Sequence, residues 1–239
     1  MKNKRSETVR LHPDLLLLSD SALPTGGFSH SYGLETFVAR GEKELKKLLE
    51  TFITEELGKV DCPTFMLAYR AFDLGEPDRL IELDIMVNAM KIPREWREAG
   101  SQTGRRMLVI GETIAEVRSD ITPPKLWVDY SEKVRSGTVP GQYPVIAGML
   151  YCMLGIPLAD AASAYAFSAV KNLVGAVVRL VPLGQTEGLK LQVSLNGMIA
   201  TAVKEAMSID KLDELGGFAP SFELAGIVHE QLYTRLFIS

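Results

Sequence analysis

Apolar residues recur along this chain at three- and four-residue steps. That is the spacing of helices that each bury one face. The clearest case runs Leu45, Leu48, Leu49, Phe52, Ile53 and Leu57, with Lys and Glu filling the gaps. Before it, an apolar run over 15–18 stops at a polar turn, and Leu34, Phe37 and Val38 form a short helix that Gly41 ends. Residues 61–74 read as the next helix, with Asp61 as its cap and Gly75 as its stop. Pro77 opens another, in which Leu80, Ile81, Asp84 and Ile85 turn over one face. Pro at helix starts and Gly just past helix ends obey the usual asymmetry of helix termini.

The second half continues the pattern. Residues 93–117 form a long helix whose first half offers few large apolar side chains. Gly100 and Gly104 share one face there, which reads either as a polar contact surface or, preferably, as an exposed helix with a glycine-permitted crossing. Pro123-Pro124 marks a linker, and Leu126, Trp127, Tyr130 and Val134 form a short amphipathic set. After Pro140-Gly141, residues 143–159 carry no charge. Pro144 can only open a helix there, and Gly155 with Pro157 closes it. About eleven residues rise roughly 16 Å, against the roughly 30 Å of a bilayer core, so this is a buried helix rather than a span. Leu158–Leu180 is rich in Ala, Ser, Gly and Val, which implies packing on several sides, as in the central helix of a bundle. Residues 189–207 give a further helix, and Gly216-Gly217 with Pro220 precede the last. No strand-like alternation occurs. The expected fold is all-α, a single-domain bundle of about ten helices over 1–239 around Leu158–Leu180.

Composition narrows the function classes. At 239 residues and 46% hydrophobic the chain can bury a sizeable core. A net charge of −4 lacks the basic footprint of a nucleic-acid binder. Cys62 and Cys152 are the only cysteines and lie far apart, which suits a reducing compartment. No phosphate-binding G-x-x-x-x-G-K-[S/T] loop and no G-x-S-x-G elbow is present. His12, His30 and His229 are widely separated, so no dense metal site is indicated.

Candidate chemistry concentrates in residues 19–35. Pro24 disfavours helix at Leu23, and Gly26 and Gly27 permit a sharp turn. Phe28, Ser29, His30, Ser31, Tyr32 and Glu35 come next, within eight positions. An enzyme reading makes His30 a base for Ser29 or Ser31, but adjacent helical residues point to different sides. A plain reading makes the segment a turn, with Ser29 or Ser31 capping the next helix. Two later segments are also distinctive: Arg179-Leu180-Val181-Pro182-Leu183-Gly184-Gln185-Thr186-Glu187-Gly188, and His229-Glu230-Gln231-Leu232-Tyr233-Thr234-Arg235-Leu236-Phe237-Ile238-Ser239. Arg179 at a helix end complements the helix dipole.

These three segments, S-x-x-x-L-P-x-G-G-F-x-x-S-x-G-L-E, R-L-x-P-L-G-Q-x-x-G and H-E-x-x-Y-x-R-L-F-x-S, resemble in order the signatures of the UreF family of urease accessory proteins. R-E-x-x-x-x-x-G-R-R, from Arg97 to Arg106, is also similar to the middle of that family. The chain departs from the pattern at Ile238, where many members carry a basic residue, and at His30, where many carry an aromatic. The resemblance implies a non-catalytic, cytoplasmic, homodimeric scaffold in nickel insertion into urease apoprotein. Its partners would be the UreD accessory protein (also called UreH) and the UreG GTPase, with no nucleic acid, no membrane and no cofactor held by this chain. The alternatives are a direct regulator of GTP hydrolysis by UreG and a small helical hydrolase. Partner-binding residues expected on this basis are Ser29, His30, Ser31, Tyr32, Glu35, Arg179, Gln185, His229, Tyr233, Arg235, Leu236 and Phe237. Gly26 and Gly27 would present the loop outward to the GTPase, while the tail docks on UreD. The N-terminal arm 1–10 and the tail 234–239 would be flexible when unbound.

Overall fold

The computed structural model of the chain describes residues 12–20 and 22–239; the arm 1–10 lies outside them. The fold is all-α, and no strand occurs among the described residues. The elements run in order as α1 (Pro13–Leu18), α2 (Leu34–Ala39), α3 (Leu45–Phe52), α4 (Cys62–Asp73), α5 (Pro77–Met90), α6 (Arg94–Val117), α7 (Lys125–Arg135), α8 (Tyr143–Met153), α9 (Leu158–Leu180), α10 (Gln185–Ala206) and α11 (Pro220–His229). Short 3-10 turns lie at Gly27–Ser29 and Leu212–Glu214.

The interior is one contiguous apolar cluster that draws on nearly every helix. Its driest layer is the α4–α8 pair. Every residue from Pro144 to Tyr151 is buried, as is every residue from Cys62 to Ala68. The two helices meet backbone to backbone at Gly148, where an added Cβ would lie 2.3 Å from the Phe65 carbonyl oxygen. This accounts for the uncharged sequence of α8, since a helix enclosed on all sides has no solvent face to carry charge. α9 is long and apolar enough to cross a membrane by length and composition. Here it is the hub of the bundle, packing against α1, α2, α3, α4, α8 and α10.

Three features depart from the sequence expectations. The amphipathic run over 45–57 does not stop before Asp61. α3 passes through a π-helical segment, Ile53–Asp61, directly into α4, so Asp61 is not a helix cap. Its carboxylate instead holds the buried Lys91 ammonium at 3.1 Å. α10 begins at Gln185, immediately after Gly184, rather than near Leu189. Gly100 and Gly104 are buried, and the face they form is a packing contact. An added Cβ at Gly104 would lie 2.0 Å from the Gly141 carbonyl oxygen, and one at Gly100 would lie 2.0 Å from Gln142 Oε1.

A buried polar network fixes the same crossing. Asp84 accepts hydrogen bonds from the Tyr130 hydroxyl at 2.8 Å and from the Gly141 and Gln142 N–H groups at 2.7 Å each. Burial pushes its carboxyl above the usual carboxylate range, and these hydrogen bonds oppose that shift. Gln142 Nε2 in turn donates to Asn88, the Arg97 carbonyl and Ser101. α5, α6, α7 and the start of α8 are thereby tied together.

Two glycine substitutions separate packing from helix propensity. Gly104→Ala forces atoms apart at the α6–α8 crossing and should cost about 1–3 kcal/mol, as overpacking does. Gly197→Ala, in α10 with nothing within 4 Å of the new methyl, should add up to about 1 kcal/mol from helix propensity alone. Urea denaturation of both variants checks the opposite signs.

Candidate functional site

The opening loop, the α6 start and the chain's tail converge on one ionic cluster, buried except for Arg235. α2 begins with Leu34 and Glu35, set by the turn at Gly33, which adopts a left-handed φ of 86°. Glu35 points inward. Its Oε1 accepts the Leu236 N–H at 2.6 Å, and its Oε2 accepts the Phe237 N–H at 3.0 Å. The same Oε2 lies 3.0 Å from His229 Nε2. His229 sits at the last turn of α11 and is 0% exposed. Its Nδ1 lies 2.6 Å from Glu95 Oε2, and Glu95 Oε1 accepts from the Arg235 guanidinium at 2.8 Å. An imidazole donates from both nitrogens only as the imidazolium. The geometry is therefore two carboxylates interleaved with two cations, a neutral set that satisfies the requirement that buried charges be paired.

The loop and the tail also bond directly. The Ser31 N–H donates to the Ser239 carbonyl, and the Ile238 N–H donates to the Ser29 carbonyl at 2.9 Å. His30 Nδ1 meets the Ser239 hydroxyl at 2.8 Å. Arg179, projecting from the end of α9, donates to the Phe28 carbonyl and places its guanidinium 4.5 Å above the Phe237 ring. Tyr32 occupies a left-handed φ of 49° and packs its ring against Phe52 and Trp96. A non-glycine residue in that region is strained, and surrounding packing must hold it there.

The expected outward presentation of the loop is not what the chain adopts. His30, Ser31 and Glu35 are buried, Ser29 and Tyr32 are partly buried, and Phe28 alone among the large loop side chains is well exposed. The reason is the tail: its backbone N–H groups need acceptors, and Glu35 with the Ser29 carbonyl supplies them. Residues 234–239, expected to be flexible when unbound, lie along this groove, with Phe237 and Ser239 buried while Arg235, Leu236 and Ile238, like Tyr233 before them, are exposed. His30 does not bond Ser29 or Ser31; its partner is Ser239. Gln185 stands apart, exposed at the start of α10. Glu95 is the central residue that the sequence did not single out. Its only signal was an acid in the first turn of a helix, beside an aromatic.

The sequence comparisons agree with the motifs. The UreF family model matches residues 39–196, which excludes both the loop and the tail. The chain belongs to the UreF family. It is 30% identical over 229 residues to the urease accessory protein UreF of Bacillus sp. strain TB-90, covering 94% of this chain and 97% of that protein. It is 32% identical over 226 residues to that of Arthrobacter sp. strain FB24, covering 93% and 94%. It is 34% identical over 234 residues to that of Kocuria rhizophila, covering 94% and 95%. These spans take in nearly the whole of this UreF-family chain. No group of three or more His, Cys, Asp or Glu able to hold a metal ion occurs among its described residues.

Two measurements probe the cluster. His229→Ala leaves Glu35 and Glu95 buried without the cation between them, and should cost about 3–5 kcal/mol in urea unfolding. Tyr233→Ala, at a fully exposed position, should stay within about 0.5 kcal/mol of the parent. His30 gives a pH signature. Burial holds it down at about 4, against 6.5 for a free imidazole. The unfolded chain therefore binds this proton first. Its contribution to stability is complete above pH 6.5 and is lost as pH falls from 6.5 through about 4. Thermal melts of parent and His30→Phe across that window should show the parent losing ground, by up to about 3 kcal/mol. A pH-independent difference would refute the assignment.

Proposed function

We propose that this chain is a non-catalytic accessory protein in urease maturation that docks on UreD through its tail and bridges it to the UreG GTPase. The observation that carries the reading is the division of labour along residues 233–239. The buried cluster grips the tail's backbone, while Tyr233, Leu236 and Ile238 project outward at 102%, 63% and 59% exposure. Leu224 and Ile227, one turn apart on α11, are also exposed. Aromatic and apolar anchors on a rigid base are favourable for association, because little conformational entropy is lost on binding. Phe28 and the exposed part of Ser29 are what the loop offers to the GTPase. In this reading His30, Ser31, Glu35, His229, Arg235 and Phe237 act by positioning these surfaces. Nickel passes through the assembled complex as cargo, and a homodimer of this chain forms its centre.

Deleting residues 234–239 does not separate docking from folding, because Phe237 and Ser239 are part of the packed structure. Outward-facing point variants do. Tyr233→Ala with Leu236→Ala should melt within a few degrees of the parent and weaken capture of UreD by at least about tenfold, the loss of one modest hot spot. Unchanged capture by a variant that melts normally would refute tail docking. Light scattering at micromolar concentration tests the dimer, and a monomer alone would refute that part.

A further inference from the structure

Gly104 is held at the α6–α8 crossing, facing the Gly141 carbonyl. The next two residues stand roughly 100° and 200° further round the helix, and Arg105 and Arg106 are both exposed. They line a groove of about 490 Å³ between α6 and the loop–tail contact. Ser29 and His30 line it from the loop, and Ile238 from the tail. No Asp or Glu among the described residues lines it, in a chain whose acids outnumber its Lys and Arg by 30 to 26. Neither guanidinium is engaged elsewhere. Every other arginine among the described residues except Arg40 donates to a carboxylate or a carbonyl. Arg105 and Arg106 donate to neither.

The shape and charge of the surroundings decide what this pair accepts. A second hollow of about 330 Å³ shares Gln102 and Ile238 with the first and carries the groove along α6 past Ala99 to Arg235. The carboxylates there are already compensated: Glu95 by His229 and Arg235, and Glu98 by Arg94 at 3.0 Å. The uncompensated charge of the whole groove is therefore positive and sits at Arg105 and Arg106. From Glu95 to Val109 the helix rises roughly 21 Å, the length of about six residues of extended chain. Val109 and Ile238, exposed at 51% and 59%, add apolar surface on facing walls. No Phe, Tyr or Trp among the described residues lines the arginine end, so nothing there would stack a nucleotide base. The chain's own arm is the wrong sign, with Lys2, Lys4, Arg5 and Arg10 against Glu7. Carboxylates match the planar fork of a guanidinium.

We propose that this groove is a docking surface for an extended acidic segment of a partner protein, with its carboxylates on Arg105 and Arg106 and an apolar residue between Val109 and Ile238. The assignment is independent of UreD and UreG and is tested on this chain alone. The probe is an end-capped peptide, Asp-Leu-Glu-Asp-Leu-Glu, titrated into isotope-labelled protein and followed by amide NMR shifts. Shifts are expected along the outer face of α6, in residues 25–30 and at Ile238. Arg105→Gln with Arg106→Gln should melt as the parent does, since both positions are exposed, and should bind the peptide about tenfold more weakly, the loss of two exposed ion pairs. Added salt should weaken parent binding in the same direction. Arg40→Gln, at an exposed arginine outside the groove, should bind as the parent does. The uncharged peptide Asn-Leu-Gln-Asn-Leu-Gln should bind no better than the acidic peptide binds the double variant. No binding at millimolar peptide, shifts centred elsewhere, or equal affinity for the uncharged peptide or in the double variant would overturn the proposal. Displacement of the peptide by inorganic phosphate at matched ionic strength would make this a small-anion site instead. A double variant that light scattering shows to have lost self-association would make the occupant a second copy of this chain. Either result also overturns it.

Discussion

The Glu35 carboxylate accepts three hydrogen bonds, two from the backbone of the tail and one from His229. A single side chain at the start of a short helix thereby binds the last segment of the chain, about two hundred residues away in sequence. α2 is only six residues long, and α1 has the same length. Helices this short are not stable by propensity. Their place is fixed by what they hold and what holds them. Thr36 donates to the Ala225 carbonyl at 2.9 Å and so ties α2 to α11, while Glu35 secures the whole segment after α11. Without that carboxylate, His229 would be left with one anion instead of two, and the Leu236 and Phe237 N–H groups would have no acceptor.

Two regions of this protein compensate their charge within the chain. The ionic cluster is saturated: Glu35, Glu95, His229 and Arg235 leave no charge uncompensated, and the cluster's outer surface is the tail itself. The pocket beneath the loop is lined by Tyr32, Tyr143, Tyr165 and Asn172, and its one charged side chain, Asp61, is paired with Lys91. Tyr32 stands between them. Its ring packs on Phe52 and Trp96 and its residue lines the pocket, while its left-handed backbone sets the turn that delivers Glu35 to the cluster.

Much of the fold was legible because local rules and global packing coincide. Pro77, Pro144 and the residues before α6 and α9 mark helix starts in both sequence and structure. The uncharged run of α8 correctly marked the interior. The π-helical turn was not legible: Leu57 fits the α-helical spacing from Leu45 as well as it fits the true path. Nor was the burial of Gly100 and Gly104, since a small residue on a polar-looking helix face marks a close crossing only when the partner backbone, here Gly141, is known. The candidate site divides in the same way. Glu35, His229, Arg235 and Phe237 stood out as residue types and do meet in space. Their orientation could not be read from sequence, because it depends on hydrogen bonds spanning 201 and 202 positions between Glu35 and the tail.

That geometry constrains how a partner can engage the tail. Lifting residues 235–239 from the groove would open the Glu35 and Glu95 carboxylates to solvent on one side only, remove the Arg235 cation and strip two N–H groups from Glu35. Each loss is of the kind that costs most in a buried setting, where one member of a charge pair is withdrawn. A partner that instead covers Tyr233, Leu236 and Ile238 from outside meets apolar surface already in place and disturbs none of those bonds. Covering also shields the cluster further from water, which strengthens its electrostatics. Under the proposed docking, engagement from outside would leave the loop–tail bonds at Ser29, Ser31 and Glu35 intact.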